Sequence, residues 1–373
     1  MSAACPDEAY GVALAALPMM GPARLRALLA RWVPAAAWAA VAADRALDDH
    51  IVAAACGRDL HEVRAVWARV AKHIEPAHEL ERSEQAGIAV HLLGRAGYPP
   101  ELAADAEAPA VCFVKGDATH LASPARVAII GTRSATAPGL ELAHRLGRDL
   151  AAAGVSIVSG LARGIDAAAH RGALAAAGAP PIGVVGSGLD VVYPANNAKV
   201  WAAVAECGVL LSEAPPGAPP SAWRFPARNR LIACLADIVV VVESRASGGS
   251  MLTVKEAILR GRQVMAVPGA VSSAASEGTN QLIYDGCCPV RDSLDVLVAL
   301  GLTTASRGRG RVGRPRPKGD DGRLFSLLDA GTPLDLETLA RNFERSLAET
   351  ALALDRLEAQ GWAERNGAWW QAT

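Results

Sequence analysis

Aromatic side chains are scarce in this sequence of 373 residues, because Phe, Trp and Tyr together make up only 4% of it. Stacking on aromatic rings is therefore not expected to be its main way of binding a ligand. An excess of one charge is lacking too, since 37 basic residues face 38 acidic ones and the formal net charge is −1. Any binding to nucleic acid must come from local clusters of Arg and Lys, not from the field of the whole molecule.

Long apolar runs and ordered cysteines are also missing. No apolar run approaches the roughly 20 residues that cross a bilayer, so no membrane partner is expected. The start, MSAACPDEAYGVALAAL, has acids before its apolar run and lacks the basic residues that open a signal peptide. The seven cysteines follow no metal-ligand spacing. Their odd number favours reduced thiols in a cytoplasmic protein without a metal site.

Half of the chain is hydrophobic, and its length favours two or three domains. Residues 1–80 carry apolar residues at helical spacing and predict a small helical domain of the SAM or helix-hairpin-helix kind. Within ALPMMGPARLRALLARW (16–32) a helix opens near Pro22. Met19 stands where a helix-hairpin-helix usually has a second Gly, so a packing role is favoured over DNA binding.

Residues 81–302 predict an α/β domain with an extended Rossmann-like, doubly wound, mostly parallel sheet. Short β-branched runs such as RVAIIG, VSIVSG and DIVVVVES alternate with helical patterns. Such runs are typical of strands buried on both faces, and the alternation implies right-handed βαβ crossovers. In such sheets ligands bind at the carboxyl ends of the strands.

Two further segments follow. Residues 303–319, TTASRGRGRVGRPRPKG, hold six basic residues and no acid, which predicts a flexible basic linker. Residues 320–373 show three helical runs and an ending, WAERNGAWWQA, with a hairpin turn at Asn366 and Gly367. This pattern predicts a winged-helix-like domain. Its recognition helix, 347–360, carries three acids and one Arg, so a protein-contact or vestigial role is favoured over duplex DNA.

Small residues follow the predicted strands, in GTRS, SGLARG, GSGLD, SEAPPG and ESRASGGS. Such turns let backbone N–H groups approach a ligand closely and aim helix N-termini at it, which favours anions. The first turn lacks G-x-G-x-x-G, and the second strand ends in Ser159 instead of an acid. A P-loop is absent as well. We therefore expect no dinucleotide or other cofactor.

Arginines accompany these turns. Arg133 stands at a strand end, placed either for a bidentate phosphate contact or for pairing with a nearby carboxylate. FPARNR puts Arg228 and Arg230 at a predicted helix start, where positive charge opposes the helix dipole unless an anion joins them. Trp223 and Phe225 fit either stacking on an unpaired base or a place in the core. The other cations of neighbouring loops are Arg163, Lys199, Arg224 and Arg245.

Two patterns invite an enzymatic reading. Asp166 and His170 are four apart on one helix, downstream of Ser159, but no G-x-S-x-G elbow accompanies them. We expect them to brace the turn, with no catalytic residue. GGSMLTVKEA loosely resembles the loop of nucleoside-monophosphate phosphoribohydrolases, which supplies the alternative function. The match runs through Gly248, Gly249, Thr253 and Glu256, with Thr253 displaced.

The order of motifs over about 85–290 resembles the DNA-processing protein A family (DprA, also called Smf). The resemblance is carried by GYPPEL, FVKGD, VAIIGTR, VSGLARGIDAAAH, GSGLDVVYP, LLSEAPPG, FPARNRLIA, SGGSMLT, GRQVMAVPG and EGTNQLI. It implies a non-enzymatic protein that binds single-stranded DNA, protects it during natural transformation and helps to load the recombinase RecA. It also implies a homodimer formed through about 277–290.

The resemblance further implies which residues hold the DNA backbone. The matching positions are Gly131, Thr132, Arg133, Ser159, Gly160, Gly186, Gly188, Arg228, Asn229 and Arg230. Lys199 falls close to a basic position of the family, and we add Arg163 and Ser250 from neighbouring turns. Amides and Arg side chains hold phosphates without reading base edges, so largely sequence-independent binding is expected.

Overall fold

The computed structural model describes residues 5–302, 317–328, 334–360, 362–366 and 369–372. They belong to two compact units, which divide between Thr303 and Thr304. The predicted basic linker falls almost entirely outside the described residues, and so does Gly367 of the predicted hairpin turn. Among the described residues, no single helix is long and apolar enough to span a bilayer, although the bent pair 22–31 and 34–42 reaches that length together.

The first unit opens with helices. They are α1 (Asp7–Ala15), α2 (Pro22–Arg31), α3 (Pro34–Ala42), α4 (His50–Cys56), α5 (Leu60–Ala71) and α6 (Pro76–Gln85). A proline occupies the first position of α2, α3 and α6, where its missing N–H costs no helical hydrogen bond. Asp49 caps α4 by accepting from the amides of Ile51 and Val52. The buried Trp67 of α5 donates its indole N–H to the carbonyl of Pro18.

Nine strands follow. They are β1 (Ala89–Leu92), β2 (Val111–Gly116), β3 (Arg126–Ile130), β4 (Ser156–Ser159), β5 (Ile182–Val185), β6 (Val209–Ser212), β7 (Ile238–Val241), β8 (Gln263–Ala266) and β9 (Cys288–Pro289). One sheet contains them in the spatial order β1-β2-β6-β5-β4-β3-β7-β8-β9. In this spatial order every neighbouring pair from β6 through β3 to β9 is parallel, whereas β2 is antiparallel to β6 and to β1. The prediction of a mostly parallel sheet is confirmed.

Eight further helices lie between these strands or follow the last of them. They are α7 (Pro100–Ala103), α8 (Ala137–Ala152), α9 (Ile165–Ala175), α10 (Ala198–Cys207), α11 (Arg224–Leu235), α12 (Ser250–Leu259), α13 (Glu277–Tyr284) and α14 (Ser293–Ala299). The chain runs outward from β3 to β6, returns to β7 on the other side of β3, and continues to β9. This reversal between β3 and β7 is the switch point at which doubly wound sheets bind ligands.

The central strands are buried on both faces, as their β-branched sequences predict. Ala128 and Ile130 of β3 pack in one cluster with α11 and α12, whereas Val127 and Ile129 pack in the other with α8 and α9. A third cluster joins the N-terminal helices to β2 and β6, through residues such as Phe113. The helices of the first 85 residues and the sheet therefore share one core.

Helices α8 and α9 lie unusually close together. A Cβ on Gly147 of α8 would overlap the carbonyl oxygen of Ala169, and one on Gly172 of α9 would overlap that of His144. Only glycine permits such backbone-to-backbone contact between two helices. The two helices follow β3 and β4, so their spacing also fixes the spacing of the turns that precede them.

The second unit contains three helices and three strands among its described residues. They are α15 (Gly319–Leu328), β10 (Leu334–Asp335), α16 (Leu336–Phe343), α17 (Leu347–Ala359), β11 (Ala363–Asn366) and β12 (Trp369–Ala372). The strands pair in the order β10-β12-β11. Phe325, Leu354 and Trp370 are buried in its core. A capping box, formed by Ser346 and Glu349, opens α17.

Candidate nucleic-acid interface

The turn after β3 carries the first predicted residues. The amide of Thr132 donates to the carbonyl of Glu243 after β7 at 2.8 Å, which joins the two turns at the switch point. A Cβ on Gly131 would lie 2.6 Å from Cγ1 of Ile165, so glycine is required for this packing. Arg133 is exposed, and its Cζ lies 5.2 Å from the ring centre of Phe225, within cation–π range. No carboxylate among the described residues forms an ion pair with Arg133, so the carboxylate pairing that was one of its two predicted roles is not formed there.

The turn after β4 holds a buried cation in place. Arg228 of α11 is buried, and its Nη1 donates to the carbonyl of Gly160 at 2.9 Å and to that of Val184. The amide of Gly160 donates to Asp166 at 3.1 Å. Burial lowers the pKa of Arg228 to about 10, and the Asp166 carboxylate opposes that shift. Arg228 therefore keeps its charge at neutral pH.

The structure corrects the prediction for the two arginines of FPARNR. Helix α11 begins at Arg224, so Arg228 and Arg230 lie one turn inside it and not at its start. Arg228 and Arg230 are two positions apart, and in a helix with 3.6 residues per turn this separation rotates the side-chain direction by about 200°. The two side chains therefore point to different sides of α11. Arg230 forms an ion pair with Glu213 at 2.5 Å, and both side chains are largely buried. A separate carboxylate thus neutralises Arg230, away from Arg133.

An open cleft of about 530 Å³ lies at the switch point. Its lining brings together the predicted residues Gly131, Thr132, Arg133, Arg228, Asn229 and Ser250. An adjoining recess shares Arg133 and Arg228 with the cleft and adds Gly160, Arg163 and Gly186. We call the cleft and the recess together the rim cleft.

Four predicted residues do not line the rim cleft. Ser159 is buried, and its hydroxyl donates to the carbonyl of Ile129 at 2.6 Å. The amide of Gly188 donates to the carbonyl of Ala218 at 3.0 Å, so this turn is committed to a neighbouring loop. Lys199 is exposed at the start of α10. Arg230 is the fourth, for the reason given above.

The electrostatics of the rim cleft favour an anion. Its described lining contains four arginines, Arg133, Arg163, Arg228 and Arg245, and one carboxylate, Asp166. Burial raises the pKa of Asp166, which opposes its negative charge. Gly249 and Ser250 at the start of α12 also line the cleft, so the positive end of that helix dipole faces it.

Sequence reasoning missed one aromatic contact of the site and left another open. Phe225 lines both parts of the rim cleft and is half-buried, so it is not a core residue. Tyr193, which was not predicted, also lines the recess, with its ring centre 5.5 Å from that of Phe225. Trp223 is 49% exposed and lies 5.0 Å below the guanidinium of Arg224. The only sequence signal for Tyr193 was its place after GSGLDVV.

The residues of the two enzymatic readings are divided by the structure: Asp166, Gly248, Gly249 and Thr253 line the rim cleft, whereas Ser159, His170 and Glu256 do not. His170 is fully buried, and burial lowers its pKa to about 4. The Ser159 hydroxyl is committed to a backbone carbonyl, so a hydrolytic triad is not assembled. Glu256 pairs with Arg260 and does not line the rim cleft. Within the described ranges, no group of three or more His, Cys, Asp or Glu side chains is arranged to hold a metal ion.

Comparison with known proteins places the chain in a family. The family model of DNA recombination-mediator protein A matches residues 89–301. Protein Smf of Escherichia coli (strain K12) is 35% identical over 277 residues, which cover 71% of this chain and 72% of that protein. DNA processing protein DprA of Bacillus subtilis (strain 168) is 37% identical over 203 residues, which cover 54% of this chain and 68% of that one.

Two solved structures agree with this placement. DprA from Streptococcus pneumoniae superposes with a TM-score of 0.63 at 31% identity, over 79% of this chain and 97% of that one. DprA from Helicobacter pylori, whose structure describes its binding of single-stranded DNA, superposes with a TM-score of 0.50 at 31% identity, over 57% and 95%. The resemblance seen in the motifs is confirmed: the chain belongs to the DNA recombination-mediator protein A family.

Proposed function

We propose that this protein binds single-stranded DNA by its sugar-phosphate backbone in the rim cleft, without a reaction of its own. The observation that carries the proposal is the meeting of Arg133 and the buried Arg228 in a lining whose single described carboxylate is Asp166. The Helicobacter pylori relative, which binds single-stranded DNA, supports the choice of ligand.

The two arginines have different parts in this proposal. Arg228 is held by two carbonyl groups, so its charge is oriented before DNA arrives and little side-chain entropy is lost on binding. Arg133 is exposed and meets the solvent side of a phosphate with its fork of N–H donors. Neither residue reads a base edge, so these contacts give affinity without sequence preference. Phe225 and Tyr193 offer ring faces to an unpaired base, which duplex DNA does not expose.

Fluorescence anisotropy with a labelled oligonucleotide, single- or double-stranded and over a range of salt concentrations, tests the proposal. If about four phosphates are neutralised, log K falls with log salt at a slope of roughly −3 for the single strand. Arg133→Ala is expected to weaken single-strand binding by about tenfold or more. Arg171→Ala, which removes an exposed Arg of α9 outside the rim cleft, is the matched control. A slope near zero, or equal losses in both variants, would contradict the proposal.

The family suggests a wider role, which we include in the proposal: protection of incoming single-stranded DNA in the cytoplasm and loading of RecA, by a homodimer formed through about 277–290. Two features support the dimer. Tyr284 of α13 is 87% exposed, and β9 is one of the two edge strands of the nine-stranded sheet. Sedimentation of the full chain tests the dimer, and RecA filament growth on protein-coated single strands tests the loading.

The helical segments at both ends are assigned contact roles in the same proposal. The order α15-β10-α16-α17-β11-β12 is that of a winged helix, but the single Arg of its recognition helix, Arg356, pairs with Asp321 at 2.6 Å. That pairing favours a protein partner over duplex DNA. In the N-terminal SAM or helix-hairpin-helix-like part, Met19 has a left-handed φ of 59°. Arg24 is engaged there by Asp59 and by the Met19 carbonyl, which supports packing over phosphate binding.

A further inference from the structure

Glu243 contacts the turn that carries Arg133, although its own side chain does not line the rim cleft. It follows β7 at the switch point and is buried. No Lys, Arg or His side chain among the described residues forms an ion pair with its carboxylate. The carboxylate accepts instead from Thr136, from the amide at 2.9 Å and from the hydroxyl at 2.5 Å. A buried carboxylate without a cation needs such donors to offset its lost hydration.

The contacts of Glu243 hold the turn after β3 at both of its ends. The backbone carbonyl of Glu243 accepts from the amide of Thr132 at 2.8 Å, and its side chain holds Thr136. Arg133 lies between these two points and is exposed. Its guanidinium donates no hydrogen bond to a described residue, so its place depends on the backbone of the turn and on the Phe225 ring. The turn is therefore the part of the protein that presents Arg133 to a ligand.

The same carboxylate lies at the N-terminus of α8. The hydroxyl of Thr136, which donates to Glu243, accepts from the amide of Gly139 and so caps the helix. A Cβ on Gly139 would overlap the carboxyl group of Glu243, so glycine lets this group rest on the first turn of the helix. In doubly wound domains a helix start in this position commonly takes a phosphate. Here the carboxylate of the protein itself lies there, and the positive end of the helix dipole stabilises it.

We propose that Glu243 is a positioning residue for single-stranded DNA: it fixes residues 132–136 and so holds Arg133 where a phosphate of the strand meets it. This inference rests on the proposed function, since Glu243 has no ligand of its own. The carboxylate acts through the reach and the number of its acceptor atoms, and its charge is directed at α8. Glu243 therefore adds to the affinity without touching DNA, because it reduces the freedom that Arg133 would lose on binding.

Three variants at position 243 separate reach from charge. Glu243→Ala removes the acceptors, and Glu243→Asp keeps the charge but is one methylene group shorter. Glu243→Gln keeps the reach and loses the charge, and its amide group can accept from the Thr136 amide while it donates to the Thr136 hydroxyl. We expect single-strand affinity to fall about fivefold in the Ala and Asp variants, because ordering one long side chain costs a factor of that size. The Gln variant is expected to bind as the wild type does, although it loses the interaction with the helix dipole and unfolds at a lower temperature.

Fluorescence anisotropy of the full chain with a labelled oligo-dT gives the affinities, and thermal unfolding shows that each variant is folded. Each change is also made in the Arg133→Ala protein, which lacks the side chain that Glu243 positions. There Glu243→Ala is expected to lower the unfolding temperature as before but to leave the affinity unchanged. Asp105→Ala is the matched control, because the Asp105 carboxylate is largely buried and pairs with Arg260 at 2.5 Å, outside the rim cleft. This control should destabilise the protein and leave single-strand affinity intact.

The possible results separate the two proposals. Equal affinity of the wild type and Glu243→Ala, with the salt slope of roughly −3 intact, overturns the positioning role and leaves the proposed function standing. A loss that persists in the Arg133→Ala background, that Asp105→Ala shares, or that is as large in the Gln variant as in the Asp variant overturns the positioning role as well. If Glu243→Ala does not fold, the comparison of the Asp and Gln variants decides. Failure of the wild type to bind any single strand overturns both proposals.

Discussion

Gly160→Ala is the smallest change that tests the rim cleft. A Cβ at this position would lie 2.5, 2.6 and 2.7 Å from Nη1, Nη2 and Cζ of Arg228. Gly160 is not among the residues with a positive φ, so alanine itself is not strained there. The guanidinium must therefore retreat by about 0.9 Å to regain an ordinary contact of 3.4 Å. The added methyl group acts on the cation and leaves the backbone of the turn in place.

The retreat has a calculable cost. It disturbs the hydrogen bonds from Arg228 to the carbonyls of Gly160 and Val184, and a bond from a charged donor contributes about 1.5–3 kcal/mol. We expect the free energy of unfolding to fall by about 2 kcal/mol, since part of each bond can re-form. The displaced charge no longer meets the phosphate in its prepared position. Single-strand affinity is expected to fall about tenfold, or about 1.4 kcal/mol.

A double-mutant cycle shows whether the effect passes through Arg228. Anisotropy is measured for the wild type, Gly160→Ala, Arg228→Met and the double variant, with thermal unfolding to verify that each is folded. Methionine keeps the stem of the side chain but lacks the atoms that the new methyl group would meet. In that background Gly160→Ala is expected to have no further effect on DNA affinity. A full tenfold loss in both backgrounds, or none in either, would refute the reasoning.

Further predictions concern the buried charges. Arg230→Ala leaves Glu213 buried without its partner and should lower the free energy of unfolding by about 3–5 kcal/mol, measured by urea unfolding, while the folded fraction keeps its single-strand affinity; a matching loss of affinity would return Arg230 to the DNA site. His170 gives a pH dependence: burial lowers its pKa from 6.5 to about 4, so the unfolded chain takes up a proton that the folded chain refuses. The stabilisation that the neutral His170 gives to the folded protein is complete above about pH 6.5. As the pH falls towards 4, the free energy of unfolding decreases by about 3 kcal/mol. The difference in unfolding free energy between wild type and His170→Gln measures it, because the raised pKa values of Asp166 and Glu213 act in the opposite direction in both proteins; a difference that stays constant over this range would contradict the prediction.

Much of the sheet could be predicted because its sequence signals are local. Strands β3 to β8 are short β-branched runs bounded by small residues, and each is followed by a helical pattern, so periodicity and turn residues agree. Strand β9 was missed because two residues, Cys288 and Pro289, carry no periodicity. The antiparallel pairing of β2 with β6 joins segments about a hundred residues apart, which no local pattern reports.

Site residues could be predicted where they directly follow a strand, because their place along the chain then fixes their place in the fold. Arg133 and Gly160 follow strands that end at one margin of the sheet, and both line the rim cleft. The prediction for Arg230 was wrong because the direction of its side chain depends on the rotation of α11, and its partner Glu213 lies in another loop. The small cavity lined by Ala15, Val111 and Leu231 was beyond sequence reasoning, since it exists only where the N-terminal helices dock on the sheet.

The close approach of α8 and α9 has a consequence far from the helix contact itself. Arg133 stands in the turn that leads into α8, and Gly160 in the turn that leads into α9. Because Gly147 and Gly172 let the two backbones touch, the spacing of the helices fixes the distance between these turns. A single methyl group at either glycine would push α8 and α9 apart and so separate the two turns, although neither glycine lies in the rim cleft. Substitutions at positions 147 and 172 should therefore be tolerated as poorly as substitutions of the residues that line the rim cleft.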